Sequence, residues 1–230
     1  MRITKVVVIT LALITFLLLP VVGCVPTSTQ TYGYTDFTRV EVGYGFQVEL
    51  VQSNSYSISI TVPTASFNFV QVSKEGETLV ISLTETFRGT KKAEITMPSL
   101  TGLTLGGGSH GNITGFKSAN TLDIDLSGGS HLKGDIEAGD TGFNLSGGSH
   151  TTLSGSANVL NVDVSGGSHL TLGAFSVSNA DIRLSGGSHA TVKVDGTLDA
   201  DLSGGSHLRY TGQPTLGSIK TTGGSSISGK

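Results

Sequence analysis

The chain has no tryptophan, a single cysteine and only 13% charged residues among its 230. Each shortage removes a class of protein. One cysteine forms no internal disulfide, so an oxidising compartment is permitted but not used for stability. With 14 basic against 17 acidic residues, no cationic surplus exists for a phosphate-binding footprint, which argues against a nucleic-acid partner. The absence of tryptophan and the count of five tyrosines leave few platforms on which a sugar ring could stack. What is plentiful is glycine, 33 residues, and with so little charge this indicates turn-rich β-structure rather than helices.

All six histidines, His110, His131, His150, His169, His189 and His207, close the same phrase, Gly-Gly-Ser-His, at intervals of 18 to 21 residues. A seventh copy, Gly223-Gly224-Ser225-Ser226, keeps the period and loses the histidine. A fixed period near 20 marks stacked coils, because one copy alone cannot bury its apolar face. Counting from each histidine, apolar residues fall seven and five positions before it, as in Ile124 and Leu126 or Val162 and Val164. They also fall mostly one and three positions after it, as in Leu170 and Leu172. The period is two on both sides of the glycines. Each copy therefore reads as strand, Gly-Gly corner, strand, with apolar residues inside and His, Asp and Ser outside. The fold class is all-β: a right-handed parallel β-helix-like stack of about 20-residue coils, the handedness following the crossover preference. Strands stacked about 4.8 Å apart make this a rod on the order of 30 Å long. A glycine-serine linker would lack the paired apolar positions.

The N-terminus is of another material. Arg2 and Lys5 precede an almost unbroken apolar run, Val6 to Val22, that ends in Val21-Val22-Gly23-Cys24. A small residue before the only cysteine resembles the lipobox of bacterial lipoproteins, so residues 1–23 read as a signal peptide and Cys24 as the lipidated N-terminus. An uncleaved membrane anchor is the alternative. Either way the remainder is expected to be exported to the cell envelope and tied to a membrane. Residues 24–33, rich in Pro, Thr, Ser and Gln, read as a flexible tether. Residues 34–100 alternate, as in Tyr56-Ser57-Ile58-Ser59-Ile60-Thr61-Val62, and read as a β-strand region that caps or continues the coils of residues 101–230.

Several ordered motifs carry a resemblance: Asp36-Phe37-Thr38-Arg39-Val40, Gln47-Val48-Glu49-Leu50-Val51-Gln52, Gly76-Glu77-Thr78-Leu79-Val80-Ile81 and Met97-Pro98-Ser99-Leu100, then repeated Leu-Ser-Gly-Gly-Ser. From about Asp36 to Lys230 the chain resembles the putative auto-transporter adhesin, head GIN domain family of bacterial exported proteins. The resemblance implies a lipid-anchored or secreted β-helix-like protein with an adhesin label and no catalytic residues to carry over. A histidine in every copy is not a requirement of that family.

Outward positions of stacked coils form columns, and two carry chemistry. Six imidazoles about 5 Å apart could chelate Zn²⁺, Cu²⁺ or Ni²⁺ through adjacent coils, since neutral imidazole suits these ions. The plainer account is a half-polar ring that stacks on itself over the glycine corner. Like charges 5 Å apart in water repel by roughly 0.8 kcal/mol, so the histidines are expected to titrate broadly below about 6.5. The second column holds Asp123, Asp125, Asp163, Asp181, Asp199 and Asp201, interrupted by Asn144, Asn161 and Arg183. A Ca²⁺ site there is conceivable, but the tight calcium-roll signature is absent.

Polysaccharide lyases also use parallel β-helices, and Asp163, Asp181, Arg183 and Asp201 could imitate such a site. Fold analogy alone cannot carry that reading. A repeated, nearly identical surface is the opposite of an active site, which needs a few unlike groups in one place. The expected function is a non-catalytic, lipid-anchored envelope protein, an adhesin-like binding module or scaffold for an envelope or extracellular macromolecule. A metal-binding envelope protein and a carbohydrate-active enzyme are the alternatives. The strand edges at the ends of a coil stack also invite end-to-end self-association.

Overall fold

The computed structural model describes residues 25–230; the segment read as a signal peptide and Cys24 lie outside the described residues. The N-terminal region contributes β1 (Thr27–Tyr32), β2 (Arg39–Val42), β3 (Gln47–Gln52), β4 (Ser57–Pro63), β5 (Val70–Glu75), β6 (Thr78–Leu83) and β7 (Lys92–Met97). A 3₁₀ turn over Thr64–Phe69 joins β4 to β5. The repeats contribute β8 (Gly102–Leu105), β9 (His110–Lys117), β10 (Leu122–Leu126), β11 (His131–Glu137), β12 (Asp140–Leu145), β13 (His150–Val164) and β14 (His169–Leu184). They end with β15 (His189–Val194), β16 (Thr197–Leu202), β17 (His207–Thr211), β18 (Thr215–Thr221) and β19 (Ser226–Gly229).

Every strand pairing from β8 to β19 is parallel and links one coil to the next, as the repeat implies. Two ladders result. One runs before the Gly-Gly corner through β8, β10 and β12; the other starts at each histidine through β9, β11 and the first half of β13. The N-terminal region continues the stack: β2 pairs in parallel with β8, and β3 with β9. It also closes that end, because β1 and β5 add on antiparallel, to β4 and β6.

The corner explains the glycines. At Ser146 to Ser149 the two central residues, Gly147 and Gly148, have φ of 65° and 78°, the signature of a type I′ turn. Gly147 is needed twice over, since a Cβ there would also lie 3.0 Å from the backbone nitrogen of Gly128 in the coil below.

Inside the coils the alternation buries one continuous apolar core that includes Leu50, Leu103, Phe143, Leu160, Phe175 and Leu202, all at most 1% exposed. Burying a side chain of this size is worth roughly 1.5–3 kcal/mol.

Two expectations need correction. The tether placed at residues 24–33 is already in the sheet from Thr27, where β1 lies along β4 and Thr29 Oγ1 meets Thr61 Oγ1 at 2.7 Å. Its Thr and Tyr residues suit a strand, but with no apolar alternation the segment looks like a linker until an open edge takes it up. The serine of Gly-Gly-Ser-His does not face solvent. Ser109, Ser130, Ser149, Ser168, Ser188 and Ser206 are all fully buried. A serine hydroxyl can enter a core because it folds back on its own turn: Ser130, Ser149 and Ser188 donate to the carbonyls of Ser127, Ser146 and Ser185 at 2.6–2.8 Å.

Candidate binding face

The residue after each buried serine opens the next strand and points outward. Backbone bonds fix this register: His131, His150, His169, His189 and His207 each donate N–H to the corner serine carbonyl of the preceding coil, at 2.8–3.0 Å. His110 through His207 are therefore paired directly, coil to coil. Their rings stack at centroid spacings of 4.7 to 4.9 Å with planes 2–5° apart from His110 to His189. The last ring breaks the pattern. His207 is tilted 45° against His189, and its Nδ1 lies 2.7 Å from Oγ of Ser226, which takes the histidine place in the seventh copy.

Electrostatics favours neutral rings in the middle of the stack. Burial first, then His110 and His150, hold His131 below the ordinary imidazole value of 6.5, while the Gly129 carbonyl works the other way. His169 is lowered in the same manner by burial and then by His150 and His189, opposed by the Gly167 carbonyl. Nδ1 of His169 is enclosed without a side-chain or backbone hydrogen-bond partner.

Parallel planes send the nitrogen lone pairs side by side rather than to one point. Among the described residues no group of three or more His, Cys, Asp or Glu is gathered as a metal-ligand set. The rings are placed together as the repeat predicted, in an arrangement that offers an ion pairs of imidazoles and not a cage.

The aspartates lie across the corner, on the ladder of β10, β12 and β16. They are interleaved with groups that relieve them. Asn144 sits between Asp125 and Asp163 and donates to Asp125 at 2.8 Å. Arg183 sits between Asp163 and Asp201 and bonds Asp181 at 3.0 Å. Arg39 is 3.6 Å from Asp123, and Asp199 accepts from the backbone N–H of Ser218 at 2.6 Å. In the group named as a lyase-like set, Arg183 thus stands between Asp163 and Asp201 and bonds Asp181, an arrangement that neutralises the acids.

One column escaped notice in the sequence. Two residues beyond each histidine, on the same face, stand Asn112, Lys133, Thr152, Thr171, Thr191 and Arg209. The signal was present at a fixed offset, but the residue type varies from copy to copy. Between this column and the histidines run two shallow grooves. One, of about 510 Å³, is lined by His110, His131, His150 and Lys133; the other, of about 390 Å³, by His189, His207, Thr191 and Arg209.

Similar solved structures share the architecture. A putative adhesin from Bacteroides fragilis aligns with a TM-score of 0.82 at 20% identity, covering 89% of this chain and 97% of its own. A putative adhesin from Parabacteroides merdae aligns at 0.75 with 17% identity, covering 89% and 96%. A putative lipid binding protein from Parabacteroides distasonis aligns at 0.70, also with 17% identity and coverage of 89% and 96%. No curated protein sequence matches the chain. The family described as "Putative auto-transporter adhesin, head GIN domain" matches residues 36–214, from ahead of β2 through all six histidine corners, and it is to this family that the chain belongs.

Proposed function

We infer that this chain is a non-catalytic, surface-exposed binding module, exported and held to the cell envelope by a lipid on Cys24. The carrying observation is the histidine face: six identical side chains in register on a rigid rod, with no set of three or more metal-ligating groups converging beside them among the described residues. Such a surface repeats one weak contact many times, which suits attachment to an extended partner and not turnover of a small substrate. Kinship with a family described as adhesin supports the same reading. Only Val25 and Pro26 stand between the lipobox-like Val21-Val22-Gly23-Cys24 and the start of β1 at Thr27, so a lipid on Cys24 would hold the capped end of the rod against the membrane.

Two measurements test this. Labelling cells with radioactive palmitate should mark the protein and fail for Cys24→Ser. Cells carrying the protein should attach to a surface coated with envelope or host-cell material better than a deletion strain; equal attachment of the two would refute the binding role.

A further inference from the structure

The charged residues of the rod are segregated by face. Across the corner, the β10 ladder face carries all six aspartates Asp123, Asp125, Asp163, Asp181, Asp199 and Asp201 against Arg39, Arg183 and Lys220. The histidine face is different. Its carboxylates lie mostly toward the capped half, where Glu49 accepts from Asn112, Glu94 pairs with Lys92, Asp135 accepts from the Gly115 N–H, and Glu137 pairs with Lys117. From β13 to β19 its outward residues are His150, His169, His189 and His207, the hydroxyls of Thr152, Thr171, Thr191, Ser226 and Ser228, and the cations Lys193, Arg209 and Lys230. Among the described residues no side-chain carboxylate stands in the histidine column or in the column two residues beyond it along this stretch. Asp195, two residues past Lys193 and beside Gly212, stands at the margin of these columns, and Asp135 and Glu137 pair across to Ser154 and Ser156 of β13 at the capped end.

A protein with an acidic balance has thus cleared one long strip of negative charge and lined it with imidazoles, hydroxyls and fixed cations. We propose that this strip is a binding site for a linear acidic polysaccharide laid along the rod axis, its carboxylates meeting the histidine column and Lys193, Arg209 and Lys230, its hydroxyls meeting the Thr and Ser column. The proposal rests on the binding-module reading above and names its ligand class. The excess of acidic over basic residues in the chain disfavours the denser charge of duplex DNA. Each histidine that takes up a proton on contact adds a charge-assisted hydrogen bond, so binding strengthens as the pH falls. The groups that share the face with the histidines are those named above; Gln47 and Lys92 continue the histidine column below His110.

The test is binding of polygalacturonate, neutral dextran and duplex DNA to the purified protein by calorimetry, at about pH 7.5 and about pH 5.5. Polygalacturonate should bind, at least about tenfold more tightly at the lower pH, as expected when one or more protons are taken up on binding. Raising the salt should weaken it. The variant His150→Asn, His169→Asn, His189→Asn should lose the pH dependence, and Lys193→Gln with Arg209→Gln should flatten the salt dependence; circular dichroism verifies that both fold. Equal affinity at the two pH values, unchanged pH dependence in the triple variant, equal binding of dextran, or a preference for duplex DNA would each overturn the proposal. If cells still attach in the assay above while polygalacturonate does not bind, the proposal alone falls and the binding-module reading stands.

Discussion

Ser149 Oγ donates to the carbonyl oxygen of Ser146 at 2.8 Å, within a corner where Ser149 has no exposed surface. The backbone N–H of Ser149 in turn donates to Oγ of Ser168 in the next coil at 3.1 Å. The two hydroxyls therefore tie this corner to itself and to its neighbour. Ser149→Ala strands the Ser146 carbonyl and should destabilise the fold by about 1–2 kcal/mol, read as a lower urea midpoint. No change would mean that water reaches the corner.

The two corner glycines are unequal. Gly147→Ala places a Cβ against Gly128 in left-handed backbone and should cost at least about 1–2 kcal/mol. Gly148→Asn meets open space and keeps a residue type that accepts positive φ, so it should stay within about 1 kcal/mol of the parent. Thermal melts of the two variants side by side decide the point.

Stability should depend on the histidines with a definite sign. His131 and His169 have folded values below 6.5, so the unfolded chain binds protons first as the pH drops. Their contribution is constant above the unfolded value and is lost progressively from about pH 6.5 down through the lowered folded values. Urea unfolding across this window should show falling stability, and a smaller fall in His131→Asn with His169→Asn.

For Zn²⁺, Cu²⁺ or Ni²⁺ the ladder offers pairs. Two nitrogens bound at about 2.0–2.1 Å must lie within about 4.2 Å of each other, closer than the 4.7–4.9 Å between the parallel rings, so an ion must pull these rings out of the stack. The already tilted pair His189 and His207 should fill first. Calorimetric titration with Zn²⁺ should lose its tightest phase in His207→Asn; an unchanged isotherm would assign binding elsewhere.

Among the described residues β18 and β19 each have a ladder partner on one side only, and Leu216 of β18 is 48% exposed. End-to-end association through these edges should appear in light scattering as a concentration-dependent mass and diminish in Leu216→Lys. A constant monomer mass would exclude it.

Much of this architecture was legible in the chain. The period of the Gly-Gly-Ser-His copies sets the coil length, and the alternation on either side of each corner decides which residues are buried. Ile124, Leu126, Val162 and Val164 lie in the core for that reason. Register then puts the six histidines in one column, because identical coils stacked in parallel superpose identical positions.

Other features depend on partners that no local pattern reveals. Thr27–Tyr32 becomes a strand only because β4, well separated from it along the chain, presents an open edge. Ser149 is polar by type and buried by place, since the type I′ turn returns its hydroxyl to its own corner. The clearing of carboxylates from the histidine face needs the third dimension as well. Which acids come to border the histidine columns depends on how the coils superpose: stacking sets Asp135 opposite Ser154 of β13 and Asp195 beside Gly212, because coils of 18 to 21 residues absorb their length differences away from the corner.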